Sequence, residues 1–186
     1  GERWLLGYVA GWIQHGLALH WLWEIPVRGY PILGWAALVS YLALYPATWL
    51  WWVGDRIGQA QSTLDRTGTA LWGAACWVGL EMVQARLLGG FPWNLLGVSQ
   101  YEMTPLVQWA SVTGVYGLSF LVVWVSLALY GAGSVLARMP QRRDAWMREL
   151  ALPGVVLFVV FGWGWQRVQR AQEPDNFIRV TVVQPS

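Results

Sequence analysis

Residues 113–137 read TGVYGLSFLVVWVSLALYGAGSVLA, an apolar run without one charged side chain. A hydrocarbon core of ~30 Å takes ~17–25 helical residues to cross. Helices of water-soluble proteins seldom run that far without a charge on one face. The stretch therefore predicts a membrane-spanning helix. Four further charge-poor segments share the chain with it, at residues 4–23, 30–54, 69–88 and 150–166. Residues 30–54 also lack any charge, residues 69–88 carry Glu81 and Arg86, and residues 150–166 are short and rich in Val, Phe and Trp. Together they predict an all-α polytopic membrane helix bundle of about five spanning helices, occupying residues 1–168. Pro31 suits the first turn of its helix, where a missing N–H costs nothing. Pro46 falls inside the second segment and is expected to kink it.

The composition agrees. Hydrophobic residues make up 56% and charged residues 12%, about half the ~25% of a globular protein. Too few charges remain to cover a water-facing surface. All twelve cationic side chains are Arg, and Trp occurs sixteen times, a residue that settles at the headgroup level of a bilayer. With a net charge of +2 and no basic stripe, a nucleic-acid partner is not implied. The single cysteine, Cys76, lies in an apolar run and reads as a small packing residue. His15 and His20 are the only histidines; with no third ligand they predict no metal site, and nothing implies a cofactor. Gln14 and His15 are expected to hydrogen-bond between helices, and Gly114, Gly117, Gly131 and Gly133 to let helices approach closely.

The arginines orient the bundle. With the amino end cytoplasmic, Arg3, Arg56, Arg66, Arg138, Arg142, Arg143 and Arg148 fall on that side, against Arg28, Arg86, Arg167, Arg170 and Arg179 on the other. The densest cluster, MPQRRDAWMRE at residues 139–149, is expected to be cytoplasmic. The loop at residues 89–112 and everything after Gln166 then face the far side.

That loop, GGFPWNLLGVSQYEMTPLVQWASV, is long, apolar and aromatic. Loops of this length tend to carry function; otherwise it is a re-entrant or interfacial segment that packs the helices. A polar linker at residues 169–176 leads to FIRVTVVQPS at 177–186, whose alternation predicts a β-strand. One strand is not stable alone. The chain opens Gly1-Glu2-Arg3 without Met and closes on this strand, so it reads as a piece of a longer polypeptide.

The order GGFPWN, GVSQ, PLVQWASVTGVYGLSFLVVWV and a strand ending VVQP, with YLALYPATW in the second segment, resembles apolipoprotein N-acyltransferases. The resemblance covers essentially the whole chain and is strongest at residues 81–125 and 180–185. It implies a bacterial inner-membrane, multi-pass enzyme of about eight spanning helices, with a periplasmic nitrilase-like domain between the last two. The five segments would be the third to seventh of these, and residues 177–186 the first β-strand of the α/β nitrilase-like domain, truncated here. The side this assigns to residues 89–112 matches the arginine balance. The implied activity is transfer of an acyl chain from a phospholipid donor to the amino-terminal diacylglyceryl-cysteine of a lipoprotein acceptor. A Cys thiolate would attack the ester, with Glu as general base and Lys stabilising developing charge.

Lysine is absent from this chain and its one cysteine sits in a predicted membrane helix, so no catalytic residue is assigned to it and the chain alone is expected to be inert. By the same resemblance, Gly90, Phe91, Pro92 and Trp93 would form a loop edge near the membrane face of the catalytic domain. They either guide acyl chains or anchor the loop at the interface. Glu81 lies ~10 Å inside the end of its helix, where a charge costs on the order of 2–3 kcal/mol and implies a partner or a function. The family tends to place Arg three residues after this Glu. Here Gln84 stands there and Arg86 follows on another face, which disfavours a direct ion pair. Glu81 is expected to hydrogen-bond Gln84 or a neighbouring helix, and to orient the GGFPW loop more than to contact substrate. The competing reading is a non-catalytic membrane scaffold or transporter-like bundle, and a relative whose triad has been lost is a third. The segments show no inverted repeat of the kind transporters carry.

Overall fold

The computed structural model describes residues 1–25, 31–138 and 144–170. Among them the protein is all-helical: α1 (Glu2–Ala18), α2 (Pro31–Leu42), α3 (Leu44–Gln59), α4 (Thr63–Gln84), the single turn α5 (Thr104–Val107), α6 (Ala110–Arg138) and α7 (Ala145–Arg170). The expected strand at residues 177–186 lies outside the described residues. α7 itself continues through Gln169 and Arg170, into the stretch read as linker.

Among the described residues, three helices are long and apolar enough to cross a membrane: Pro31–Gln59, Ala110–Arg138 and Trp146–Arg170. The first is α2 and α3 taken as one bent rod. Its break at Ala43 is the expected effect of Pro46, which offers Leu42 no N–H and presses its ring on that carbonyl. The other two predicted segments are helical over shifted bounds. α1 has 17 residues and passes into a 3-10 turn at His20–Glu24. α4 has 22 and starts at Thr63, ahead of the predicted residue 69, because Ser62 and Asp65 cap it reciprocally. That early start adds Asp65 and Arg66 to a helix that already holds Glu81.

α1, the α2–α3 rod, α4, α6 and α7 pack antiparallel in succession. Gly7 and Gly11 set α1 against the bend of the rod. A Cβ on Gly7 would sit 2.8 Å from the Ala47 Cα, and one on Gly11 3.0 Å from the Ala43 Cα. This is small-xxx-small packing, at glycines other than those the sequence singled out. Of the latter, Gly133 faces open space, and a Cβ on Gly117 would first meet Thr113 of its own helix. Gly131 makes ordinary contact with Glu149. Gly114 (φ 67°) breaks the first turn of α6, a conformation a side chain would strain. Small residues are legible in a sequence; the face that meets a neighbour is not.

The apolar core lies between α4, α5, α6 and α7, around Ala70, Ala74, Leu106, Leu118, Leu121, Trp124 and Val160. The outer surface is apolar too: Leu33 is 65% and Phe158 80% exposed. Such a surface suits lipid rather than water. The bundle has two distinct ends. One gathers the 85–103 connection and α5. The other gathers the α3–α4 turn, the end of α6 and the start of α7.

Candidate functional site

The connection from α4 to α5 is built on a sharp reversal. Leu88 (φ 55°) and Asn94 (φ 59°) both adopt left-handed backbone, which costs a non-glycine residue of order 1–2 kcal/mol. Gly89 and Gly90 share that region, at φ 90° and 79°. At Gly90 a Cβ would collide with the Ala85 carbonyl, so only glycine lets the chain fold back over the end of α4. Strained backbone persists where its surroundings over-determine it. Here two polar side chains of α4 do so.

Gln84, buried, clips Phe91 twice. Its backbone carbonyl accepts the Phe91 N–H at 2.9 Å, and its side-chain amide donates to the Phe91 carbonyl at 3.3 Å. Glu81, 4% exposed, reaches further along the loop. Its Oε1 accepts the Leu96 N–H at 2.7 Å and the Trp77 indole N–H at 3.0 Å. Next to Leu96, the Gly97 N–H donates to Ser119 Oγ of α6 at 2.8 Å. Residues 91–97 are thus tied to α4 and α6 through main-chain groups, which leaves Pro92 and Trp93 exposed while Leu95 is buried. Trp93 is 57% exposed, with its ring centroid 6.2 Å from that of Phe91. Pro92 is exposed and Gly90 half-buried beneath them.

The sequence expectation is corrected in its partners. Glu81 bonds the loop backbone and Trp77 of its own helix; it does not bond Gln84. Arg86 donates to the Met82 carbonyl at 2.9 Å in an exposed position, and no ion pair joins it to Glu81 among the described residues. His15 donates from Nδ1 to Gly11 of its own helix at 2.9 Å, where a bond to another helix was expected. Cys76 lies half-buried in the middle of α4 and takes part in none of these hydrogen bonds.

Behind Glu81 lies a small, mainly apolar pocket walled by Pro46, Trp77 and Leu80, onto which Gln14 and His15 of α1, Tyr45 of α3, Gln84 and Asn94 also border. Glu81 Oε2 is buried without a hydrogen-bond partner. Polar groups from four parts of the chain therefore converge under the loop. Sequence reading missed Trp77, Leu96 and Ser119 as partners. A backbone N–H has no residue signal, and Ser119 sits in an apolar run that gives its hydroxyl no visible task. Chemically the arrangement presents an aromatic edge on a fixed backbone, above a buried carboxyl group.

Comparison with known proteins adds the following. A family profile described as the apolipoprotein N-acyltransferase N-terminal domain matches residues 1–128. An apolipoprotein N-acyltransferase of Geobacter metallireducens is 37% identical over 171 residues, covering 88% of this chain and 31% of the relative. Those of Methylococcus capsulatus and Nitrosomonas europaea are 33% and 30% identical, covering 97% and 99% of this chain and 34% and 35% of theirs. This chain spans about a third of the length of these curated relatives. No solved structure matches it.

Proposed function

The chain belongs to the apolipoprotein N-acyltransferase family, and from that membership we propose that it forms the membrane portion of an enzyme moving an acyl chain from a phospholipid to the amino-terminal diacylglyceryl-cysteine of lipoproteins. The bond-making chemistry is assigned to a Glu–Lys–Cys triad to which this lysine-free chain contributes no member. Its own part is to hold lipid-facing surface beside that centre.

All five antiparallel helical segments cross the inner membrane in this reading. The 17-residue α1 spans together with its following 3-10 turn, and α4 crosses with Glu81 inward. The arginine-rich end is cytoplasmic, and the loop at residues 89–112, with the chain after α7, is periplasmic. Gly90, Phe91, Pro92 and Trp93 form an edge at headgroup depth that guides acyl chains toward the catalytic centre. Glu81 and Gln84 are positioning residues that set that edge.

The observation that carries the reading is the double anchoring of residues 91–97, which holds Trp93 out on an otherwise strained loop. A mere anchor in lipid would not need a main-chain register fixed by a buried carboxyl group. The test is Trp93→Ala in the complete protein, following lipoprotein N-acylation by mass spectrometry. Transfer is expected to fall about tenfold, the loss of ~1.4 kcal/mol of transition-state stabilisation, with membrane insertion unchanged. Wild-type transfer would reduce the loop to an interfacial anchor.

A further inference from the structure

Two adjoining clefts that the proposed acyl transfer does not use begin at the opposite end of the bundle. The first, of about 530 Å³, is lined by Arg66, Arg138 and Arg148, with Tyr130 and Ser134 of α6. The second, of about 540 Å³, is an apolar groove between α1, α3 and α6, floored by Leu6, Leu50 and Leu127. Ile57, Leu127 and Tyr130 line both, so the two meet at Tyr130. The groove extends along α3 from Gly58 to Trp49, ~13 Å of helix, and its far wall is Leu96 under the loop.

The chemistry of the first cleft is that of a phosphate site. Arg66 is committed: it donates twice to the buried Glu149, at 2.6 and 3.0 Å. Arg148 is not, because its pair with Asp144 joins neighbours on one helix, both largely exposed. Such a pair exchanges readily for a stronger partner. Arg138 lies at the end of α6 beside Ser134 and Tyr130. Guanidinium and hydroxyl donors are thus gathered where an apolar groove begins, and basic pockets between spanning helices suit anionic headgroups. A free anion would have no use for the groove, and an apolar partner none for the arginines.

We propose that the two clefts form one site for an anionic phospholipid, with its phosphate on Arg138 and Arg148, its glycerol region at Tyr130 and an acyl chain in the groove. The headgroup of this lipid sits at the end opposite the 85–103 loop, with the acyl chain running toward Leu96, and the lipid is a resident of the bundle rather than an acyl donor. The proposal rests on the membrane reading alone and not on acyl transfer, so transfer is not its readout.

The test is thermal unfolding of the complete protein in neutral detergent micelles, read by tryptophan fluorescence and titrated with phosphatidylglycerol, phosphatidylcholine or inorganic phosphate. Phosphatidylglycerol is expected to raise Tm by several degrees in a saturable way, and the other two are not. Arg138→Gln with Arg148→Gln should weaken half-saturation at least tenfold. Ser126→Phe places a ring in the groove, and Ser126 Oγ bonds only Val122 of its own helix, so this variant should fold and lose the same effect. It decides the matter if the arginine variant does not fold. Equal shifts from both lipids would overturn the proposal in favour of unspecific solvation, and a shift from phosphate alone in favour of a free-anion site. Loss of stability in Ser126→Phe with undiminished response to phosphatidylglycerol would show that protein, not lipid, covers the groove.

Discussion

The two ends of the bundle are fastened by different means. At the loop end one carboxyl oxygen of Glu81 gathers two N–H donors, one of them from loop backbone, and a glutamine clips a second point of the same loop. At the other end Arg66 of α4 meets Glu149 of α7 in a buried ion pair, with Glu149 2% and Arg66 20% exposed at the side chain. A more exposed pair, Arg3 with Asp55, joins α1 to α3. Bonds from helix to helix fix how the bundle is assembled, whereas bonds from helix to loop fix where a short stretch of backbone stands. Lesions at the two ends should therefore separate assembly from placement.

The largest effect should come from Glu149→Ala. It leaves Arg66 at a mostly buried site without its counter-charge, and breaking a buried pair from one side costs ~3–5 kcal/mol. Because Arg66 retains the Gln61 carbonyl at 2.7 Å and some solvent contact, the lower part of that range is expected. Denaturant unfolding in micelles measures it, and pairing Arg66→Met with Glu149→Leu should recover most of the loss. A single-site cost below about 1 kcal/mol would mean the pair behaves like an exposed one, and the contrast between the ends would fail.

Next in size is Glu81→Ala, which strands the Trp77 indole N–H and the Leu96 N–H together. Each orphaned buried donor costs ~1–3 kcal/mol, and collapse of the loop onto other partners should keep the total near the lower figure. Stability and folding yield are expected to suffer more than turnover per correctly folded molecule. The reverse ordering, a stable protein with lost turnover, would move Glu81 from positioning the loop to contacting substrate.

The bundle was legible in the sequence where charge was scarce for longer than a bilayer is thick. The uncharged runs at residues 30–54 and 113–137 are the plain instances, and Pro46 announced the bend between α2 and α3. The boundaries of α4 were misplaced although Ser62-Thr63-Leu64-Asp65 carries the S-x-x-D pattern of a capping box; an apolar-run reading starts a helix at the first uncharged residue and overlooks its polar cap. At the loop, Glu81 and Gln84 stood out because polar groups are costly in lipid. Their partners did not, since Leu96 contributes only a backbone N–H. Nor did the Arg66–Glu149 pair, whose members are separated by most of two helices and the loop between them. No local spacing rule links such residues.

The smallest effect expected comes from the exposed charge beside that buried pair, and it tests whether burial is what separates strong from weak at the end opposite the loop. Ser62 Oγ accepts the Asp65 N–H at 3.0 Å, while the Asp65 carboxylate accepts the Ser62 hydroxyl at 2.6 Å and the Ser62 N–H at 3.2 Å. Bonds from the Ser62 hydroxyl, then from its N–H, hold the Asp65 carboxyl below the usual range, with a smaller share from the Arg66 charge. A carboxyl whose folded pKa is depressed stabilises the fold above its unfolded value of ~3.9, and that contribution disappears as pH falls through the lower folded value. Asp65→Asn cannot gain it at any pH. The variant should therefore melt slightly below wild type at pH 7, and the gap should close as both are taken to pH 3 and lower. Because Asp65 is fully exposed, water screens the charge and the gap stays small beside that of Glu149→Ala. A gap that persists in acid would assign the cap to hydrogen-bond geometry alone, whereas one as large as the Glu149 effect would show that exposure does not rank the charges at this end.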